Sequence, residues 1–195
     1  MSDLPISAFA VPELADLPAD IRDRILAVQE KAGFVPNVFL ALAHRPDEFR
    51  AFFAYHDALM LRVGGLTKPE REMIVVATSG ANHCVYCVVA HGALLRIYAK
   101  DTEIADRVAI NPAKAALSPR QSAMIAYAMK VATRSHEIVP DDHKTLLQAG
   151  FDIEDVWDIG AIAGFFALSN RLANMSFMQP NAAFFTMGRT PKLAG

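Results

Sequence analysis

The chain is poor in cysteine, in tryptophan and in clustered charge, and each scarcity narrows what it can be. Two cysteines in 195 residues cannot staple a small fold, so stability has to come from a hydrophobic core. No run of Lys or Arg stands out against a net charge of −2 and a pI near 6.3, which argues against nucleic acid as a partner. The start, "MSDLPISAFAVPEL", lacks the basic residues and apolar stretch of a secretory signal, and a cytoplasmic protein is expected. Residues 73–95 hold no Asp, Glu, Lys or Arg, long enough to raise a membrane span. "TSGANH" interrupts that run with a glycine and polar groups, so no membrane segment is expected. Sustained strand alternation between hairpin turns is missing too, which leaves an all-α fold.

What is present agrees. The chain is 53% hydrophobic and 21% charged, the profile of a globular protein. Its length suits one helical domain over residues 1–195, able to bury roughly two thirds of the unfolded surface. Prolines at 5, 12 and 18 predict an extended arm over about residues 1–18. A helix follows, with Asp20 as its N-cap, Ile21, Ile25 and Val28 on one stripe and Gly33 as its stop. "PNVFLALAHRP" reads as a short helix, and Phe49, Phe52, Phe53, Leu59 and Met60 mark the next. Thr67 and Pro69 open a helix that Gly80 closes; the residues from Asn82 restart at once, giving a helix hairpin over about 67–99. Three later segments each begin with Ser or Asp near helix-forming sequence. "LTKPEREMIVVA" and "LSPRQSAMIAYA" align at an offset of 51, through either related helical units or shared capping demands.

The chemistry concentrates in "NHCVYCVVAHG", residues 82–92. A chance spacing of three between two cysteines arises on the order of once in a hundred chains, so it asks for a reason. With Asn82 or His83 as the cap, Cys84, Cys87 and His91 fall at i, i+3 and i+7 on one helix face. Glu72 and His91 lie equally deep in the hairpin, roughly 12 Å from its bend at 1.5 Å per residue. Glu70, two residues from Glu72, cannot share that face. A free thiol is mostly protonated at neutral pH, so a dithiol needs a base. His91 serves as that base and Glu72 orients it, while the second cysteine closes a disulfide on an oxidised partner.

Glu72, Cys84, Cys87 and His91 reproduce the E-x11-C-x2-C-x3-H pattern, and the chain resembles the AhpD-like alkylhydroperoxidases of the carboxymuconolactone decarboxylase superfamily, in their peroxidase-related branch. The resemblance implies an all-helical, homo-oligomeric protein that reduces a hydroperoxide substrate through a dithiol/disulfide cycle. An external dithiol reductant restores the thiols, and no bound cofactor or metal is implied. It further implies that Cys87 attacks and Cys84 resolves, with Glu72 and His91 relaying protons. The helix dipole alone favours ionisation of Cys84 instead. Tyr86 stands where the best-known members have a histidine, which removes a titrating group from the relay.

Other readings use the same residues. Two thiolates, an imidazole and a carboxylate are an acceptable zinc set. A redox sensor or interaction protein would need oxidation without turnover. As plain structure, His91 is a core histidine, Glu72 a solvated helix face and His83 a turn residue. His44, His56, His136 and His143 read as surface. "FFAL" and "FMQPNAAFF" read as core or subunit contact.

Overall fold

Ten consecutive residues of one helix, Glu70 to Ser79, are buried, and the rest of the chain is arranged around them. The computed structural model describes residues 4–190. Among these are ten α-helices and no strand: α1 Ala19–Ala32, α2 Asn37–Leu42, α3 Pro46–Met60, α4 Lys68–Ala81, α5 Val85–Ala99, α6 Ile104–Ile110, α7 Pro119–Arg134, α8 Pro140–Gln148, α9 Ile153–Met175 and α10 Ala182–Thr186. The all-α expectation holds. Helix α4 lies at the centre, packed on α5, α6, α7 and α9. No helix of the described residues is long and apolar enough to cross a membrane.

The helix starts follow from their capping residues. Thr67 Oγ1 accepts the Glu70 N–H at 3.3 Å, and Glu70 Oε2 accepts the Thr67 N–H at 2.8 Å. Ser118 and Gln121 repeat this box at the start of α7, with bonds of 3.2 and 3.0 Å. The two segments that align at an offset of 51 therefore share a capping motif, which accounts for the hydroxyl residue in both.

Two expected boundaries move. Helix α1 starts at Ala19 behind Pro18, not at a cap on Asp20, because Asp20 is engaged elsewhere: its carboxylate takes two hydrogen bonds from Arg50, at 2.7 and 2.9 Å. Gly33 does stop α1, in the left-handed conformation at φ 82°. Gly80 does not stop α4, which runs on to Ala81. Its lack of a side chain serves packing instead: a Cβ there would lie 2.5 Å from the Ala109 carbonyl oxygen of α6.

The predicted arm is extended apart from a 3₁₀ turn at Leu14–Asp16, and it is tied down. Ala8 N–H donates to Ser176 O at 2.7 Å, and Ile6 O accepts the Gln179 N–H at 3.1 Å. Residues 1–3 of that arm, and 191–195 at the other end, lie outside the described residues.

Since the Gly80 contact is backbone against backbone, Gly80→Ala has no flexible neighbour to displace. It is expected to cost about 1–3 kcal/mol, measured as a fall in the midpoint of thermal or denaturant unfolding. An unchanged midpoint would contradict the close approach of α4 and α6.

Candidate active site

The site forms where α4 turns into α5. His83 adopts the left-handed conformation at φ 52°, which reverses the chain, and it is an exposed turn residue. Cys84 N–H then bonds back to Ser79 O at 3.0 Å. Neither Asn82 nor His83 caps α5; Cys84 does. Its Sγ accepts the Cys87 N–H at 3.5 Å, which sets the sulfur at the positive end of the helix. Asn82 lies before the N-cap position, and its side-chain amide donates to Asn170 Oδ1 at 2.9 Å.

Both cysteines are reduced and enclosed, Cys84 at 1% and Cys87 at 2% exposure. Their protons are unequally held. The Cys87 side chain donates to Cys84 and brings the Cys84 thiol down to about 7, helped by the Cys87 backbone N–H, by Asn170 and by the charge of His91, against the opposing effect of burial. Cys87 moves the other way: the hydrogen bond to Cys84 and burial raise it. The pair therefore shares a proton, and Cys84 is the more readily ionised of the two sulfurs. Ser169 Oγ lies 3.8 Å from Cys87 Sγ.

Glu72 and His91 meet as the depth argument expects. His91 Nδ1 donates to Glu72 Oε2 at 2.7 Å, with Glu72 buried and His91 largely so. That bond leaves Nε2 as the ring nitrogen free to exchange a proton. The His91 ring stands edge-on to Phe166 at 4.8 Å. Glu70 turns away, as expected, to the guanidinium of Arg120 at 3.0 Å. The four groups thus form two pairs, a dithiol and a hydrogen-bonded His91–Glu72 dyad. Among the described residues, no three His, Cys, Asp or Glu side chains are grouped as a metal ion requires, so the zinc reading lacks a ligand set.

Asn170 was not singled out from the sequence, and Tyr86 and His56 gain contacts that the sequence does not show. Asn170, fully buried on α9, donates to Ser79 Oγ at 2.9 Å and so clamps the turn that carries Cys84. A Ser-Asn pair inside the apolar run "GFFALSNRLAN" was the available signal. Tyr86 spends its hydroxyl on the fold, accepting the Val38 N–H at the start of α2 at 3.0 Å, and burial raises its pKa. His56 is partly buried and not the surface residue expected, because α3 turns it toward Phe165 and Phe166. His143 is likewise half-buried, bonded to the Tyr127 hydroxyl at 3.1 Å, whereas His44 and His136 are exposed.

A narrow gap lined by Tyr86, Ser169, Val38, Leu42, Phe52 and Leu172 adjoins the dithiol. Leu42, Phe52 and Leu172 separate it from an open apolar cavity of about 460 Å³ between α2, α3 and α9.

The thiolate is directly observable. Its ultraviolet absorbance is expected to titrate with a midpoint near 7 in the reduced protein. Cys87→Ala, which removes the sulfur donor, should shift that midpoint upward. A midpoint of 8.5 or above in the unmodified protein, the value of a free cysteine at about 8.5, would rule out the charge distribution described.

The comparisons with known proteins bear on the same residues. The model of the "Carboxymuconolactone decarboxylase family" matches residues 46–111, which include Glu72, Cys84, Cys87 and His91. A solved structure from Ralstonia eutropha JMP134, described as an alkylhydroperoxidase AhpD core and an uncharacterized peroxidase-related protein, is 67% identical. The match covers 97% of this chain and 100% of that one, with a TM-score of 0.96. An uncharacterized peroxidase-related protein from Silicibacter sp. TM1040 is 38% identical over 97% of this chain and 100% of its own, with a TM-score of 0.91. The debrominase Bmp8 shares the fold at 17% identity, over 94% of this chain and 95% of its own, with a TM-score of 0.76. No curated protein matches the chain.

Proposed function

The chain belongs to the AhpD-like carboxymuconolactone decarboxylase family, and from that premise we propose that it is a thiol peroxidase working through a Cys84–Cys87 dithiol. A debrominase has the same fold, so the reaction is read from the site. The observation that carries the reading is geometric: two free, enclosed cysteines one helical turn apart on α5, the same helix that holds His91 against the Glu72 carboxylate at 2.7 Å.

The charged sulfur is the nucleophile. Cys84 thiolate attacks the terminal oxygen of the hydroperoxide, the O–O bond breaks, Cys84 becomes a sulfenic acid and the alkoxide leaves. A proton carried on His91 Nε2 passes to that alkoxide, and His91, held by Glu72, then takes the proton of Cys87 as it ionises. Cys87 then attacks the Cys84 sulfur, the S–O bond breaks, and the departing hydroxide takes that proton from His91 and leaves as water. An external dithiol reduces the Cys84–Cys87 disulfide and is itself oxidised. A second reading, with Cys87 attacking and Cys84 as its base, agrees with the resemblance and is favoured by the position of Cys87 beside Ser169, on the side of the gap.

The test is turnover of a hydroperoxide with a dithiol supply. Each single variant, Cys84→Ser and Cys87→Ser, should lose turnover, and His91→Gln or Glu72→Gln should slow it roughly 10²-fold. Oxidised protein should be two hydrogens lighter and hold an intramolecular disulfide. Sulfenic acid trapped in Cys87→Ser and not in Cys84→Ser supports attack by Cys84, and the reverse supports Cys87. Oxidation without turnover would favour the sensor reading.

Self-association, implied by the family, is assigned to one face of α9. Ile153, Trp157, Leu168 and Met175 are exposed there and lie within a single stripe at 100° per residue, with the exposed Gly164 between them. Trp157→Glu is expected to lower the mass measured by light scattering. An unchanged mass would place the contact elsewhere.

A further inference from the structure

A histidine outside the motif stands next to the dyad. His56 projects from α3 onto the same aromatic ring that His91 packs against: its centroid is 6.5 Å from that of Phe166, edge-on at 68°, while His91 approaches at 4.8 Å and 83°. Its Nδ1 lies 3.0 Å from Asp57 Oδ1. Asp57 in turn accepts from Arg24 of α1 at 2.8 Å. His56 thus belongs to a chain of polar groups, Arg24, Asp57 and His56, that runs inward from the α1–α3 surface and stops at Phe166.

Resting on the reading of the site as a dithiol peroxidase, we propose that His56 is a positioning residue for the His91–Glu72 dyad: kept neutral beside Phe166, it lets His91 accept a proton, and when protonated it opposes that step. The physical basis is like-charge repulsion in a poorly solvated place. Two imidazolium ions flanking one phenyl ring cannot both form cheaply, so each proton bound at one site weakens binding at the other.

The charged groups around His56 support this. Burial acts most strongly and lowers His56 below the usual histidine value of 6.5; its bond to Asp57 raises it, the charge of His91 lowers it, and the charges of Asp57 and Glu72 raise it. From α1 the facing group is Arg24, paired to Asp57; from α9 the neighbours are the uncharged Phe165 and Phe166. The net balance leaves a neutral ring at neutral pH. Acid therefore shuts the site in two steps, by neutralising the Cys84 thiolate and by charging His56. Where the family's best-known members carry a histidine between their cysteines, this chain has Tyr86 committed to α2, and His56 supplies a second imidazole from a different helix.

The experiment follows the His56 ring by NMR as pH falls, in the full-length reduced protein and in two variants. In Glu72→Gln the His56 midpoint should drop, because an attracting charge is gone. In His91→Gln it should rise, because a repelling one is gone, each by roughly half a pH unit. Midpoints that coincide in all three proteins, with native amide spectra, overturn the proposal. The second readout is the pH profile of turnover with tert-butyl hydroperoxide and dithiothreitol. Below neutrality the slope of log rate should approach roughly two in the unmodified protein and roughly one in His56→Gln; identical profiles overturn it. Coupled NMR midpoints with no turnover in any variant would uphold the electrostatic link and refute the peroxidase reading instead.

Discussion

Three consecutive charged residues at the start of a buried helix impose a condition that the surrounding helices satisfy. Glu70, Arg71 and Glu72 are 5%, 2% and 6% exposed, and successive residues on a helix point 100° apart, so no single neighbour can pair with all three. Each finds its counter-charge on a different element. Glu70 meets Arg120 of α7 at 3.0 Å, Arg71 meets Asp158 of α9 at 3.3 Å, and Glu72 meets His91 of α5 at 2.7 Å. Breaking a buried pair leaves a charge without compensation, at a cost of about 3–5 kcal/mol. The three pairs therefore hold α7, α9 and α5 in register around α4. The dyad of the candidate site is one of these three solutions, and its geometry is set by the same requirement that orders the fold.

The dithiol obeys a related constraint. Two sulfurs a helical turn apart in an enclosed space cannot both ionise, so a single proton is divided between them. The division is unequal because Cys84 stands before the first turn of α5 and accepts the Cys87 N–H, whereas Cys87 lies inside the helix with the hydrogen bond to Cys84 and burial both holding its proton. Asn170 reinforces the arrangement from α9 by fixing Ser79 and Asn82, the two ends of the turn. The helix that contributes Asn170 also contributes Ser169 beside Cys87 and Phe166 beside His91. A 23-residue helix thus backs both halves of the site along one face while leaving Trp157 and Met175 outward on another.

Tyr86 illustrates how a departure from a family pattern is absorbed. Its hydroxyl satisfies one of the open N–H groups at the start of α2, Asn181 Oδ1 satisfies the preceding one at 2.8 Å, and α2 is thereby seated over the sulfurs. The residue belongs to the wall of the site and not to its proton chemistry.

Much of this was readable in the chain. Helix periodicity, capping residues and the missing strand pattern determine an all-α fold, because these are local properties that each segment carries alone. The spacing of Glu72, Cys84, Cys87 and His91 likewise determines which side chains share a helix face and which pair lies at equal depth in a hairpin. What the residues alone left open were features that depend on contacts between distant segments. Cys84 becomes the cap because the left-handed turn at His83 starts α5 at Val85, a turn held by the distant Asn170 through Ser79 and Asn82. Gly80 is a packing contact with Ala109 and not a stop, and His56 looks like a surface residue until α3 folds it against Phe166. The unequal ionisation of the sulfurs belongs to the tertiary structure for the same reason: it follows from burial and from donors on another helix, neither of which exists until the helices pack.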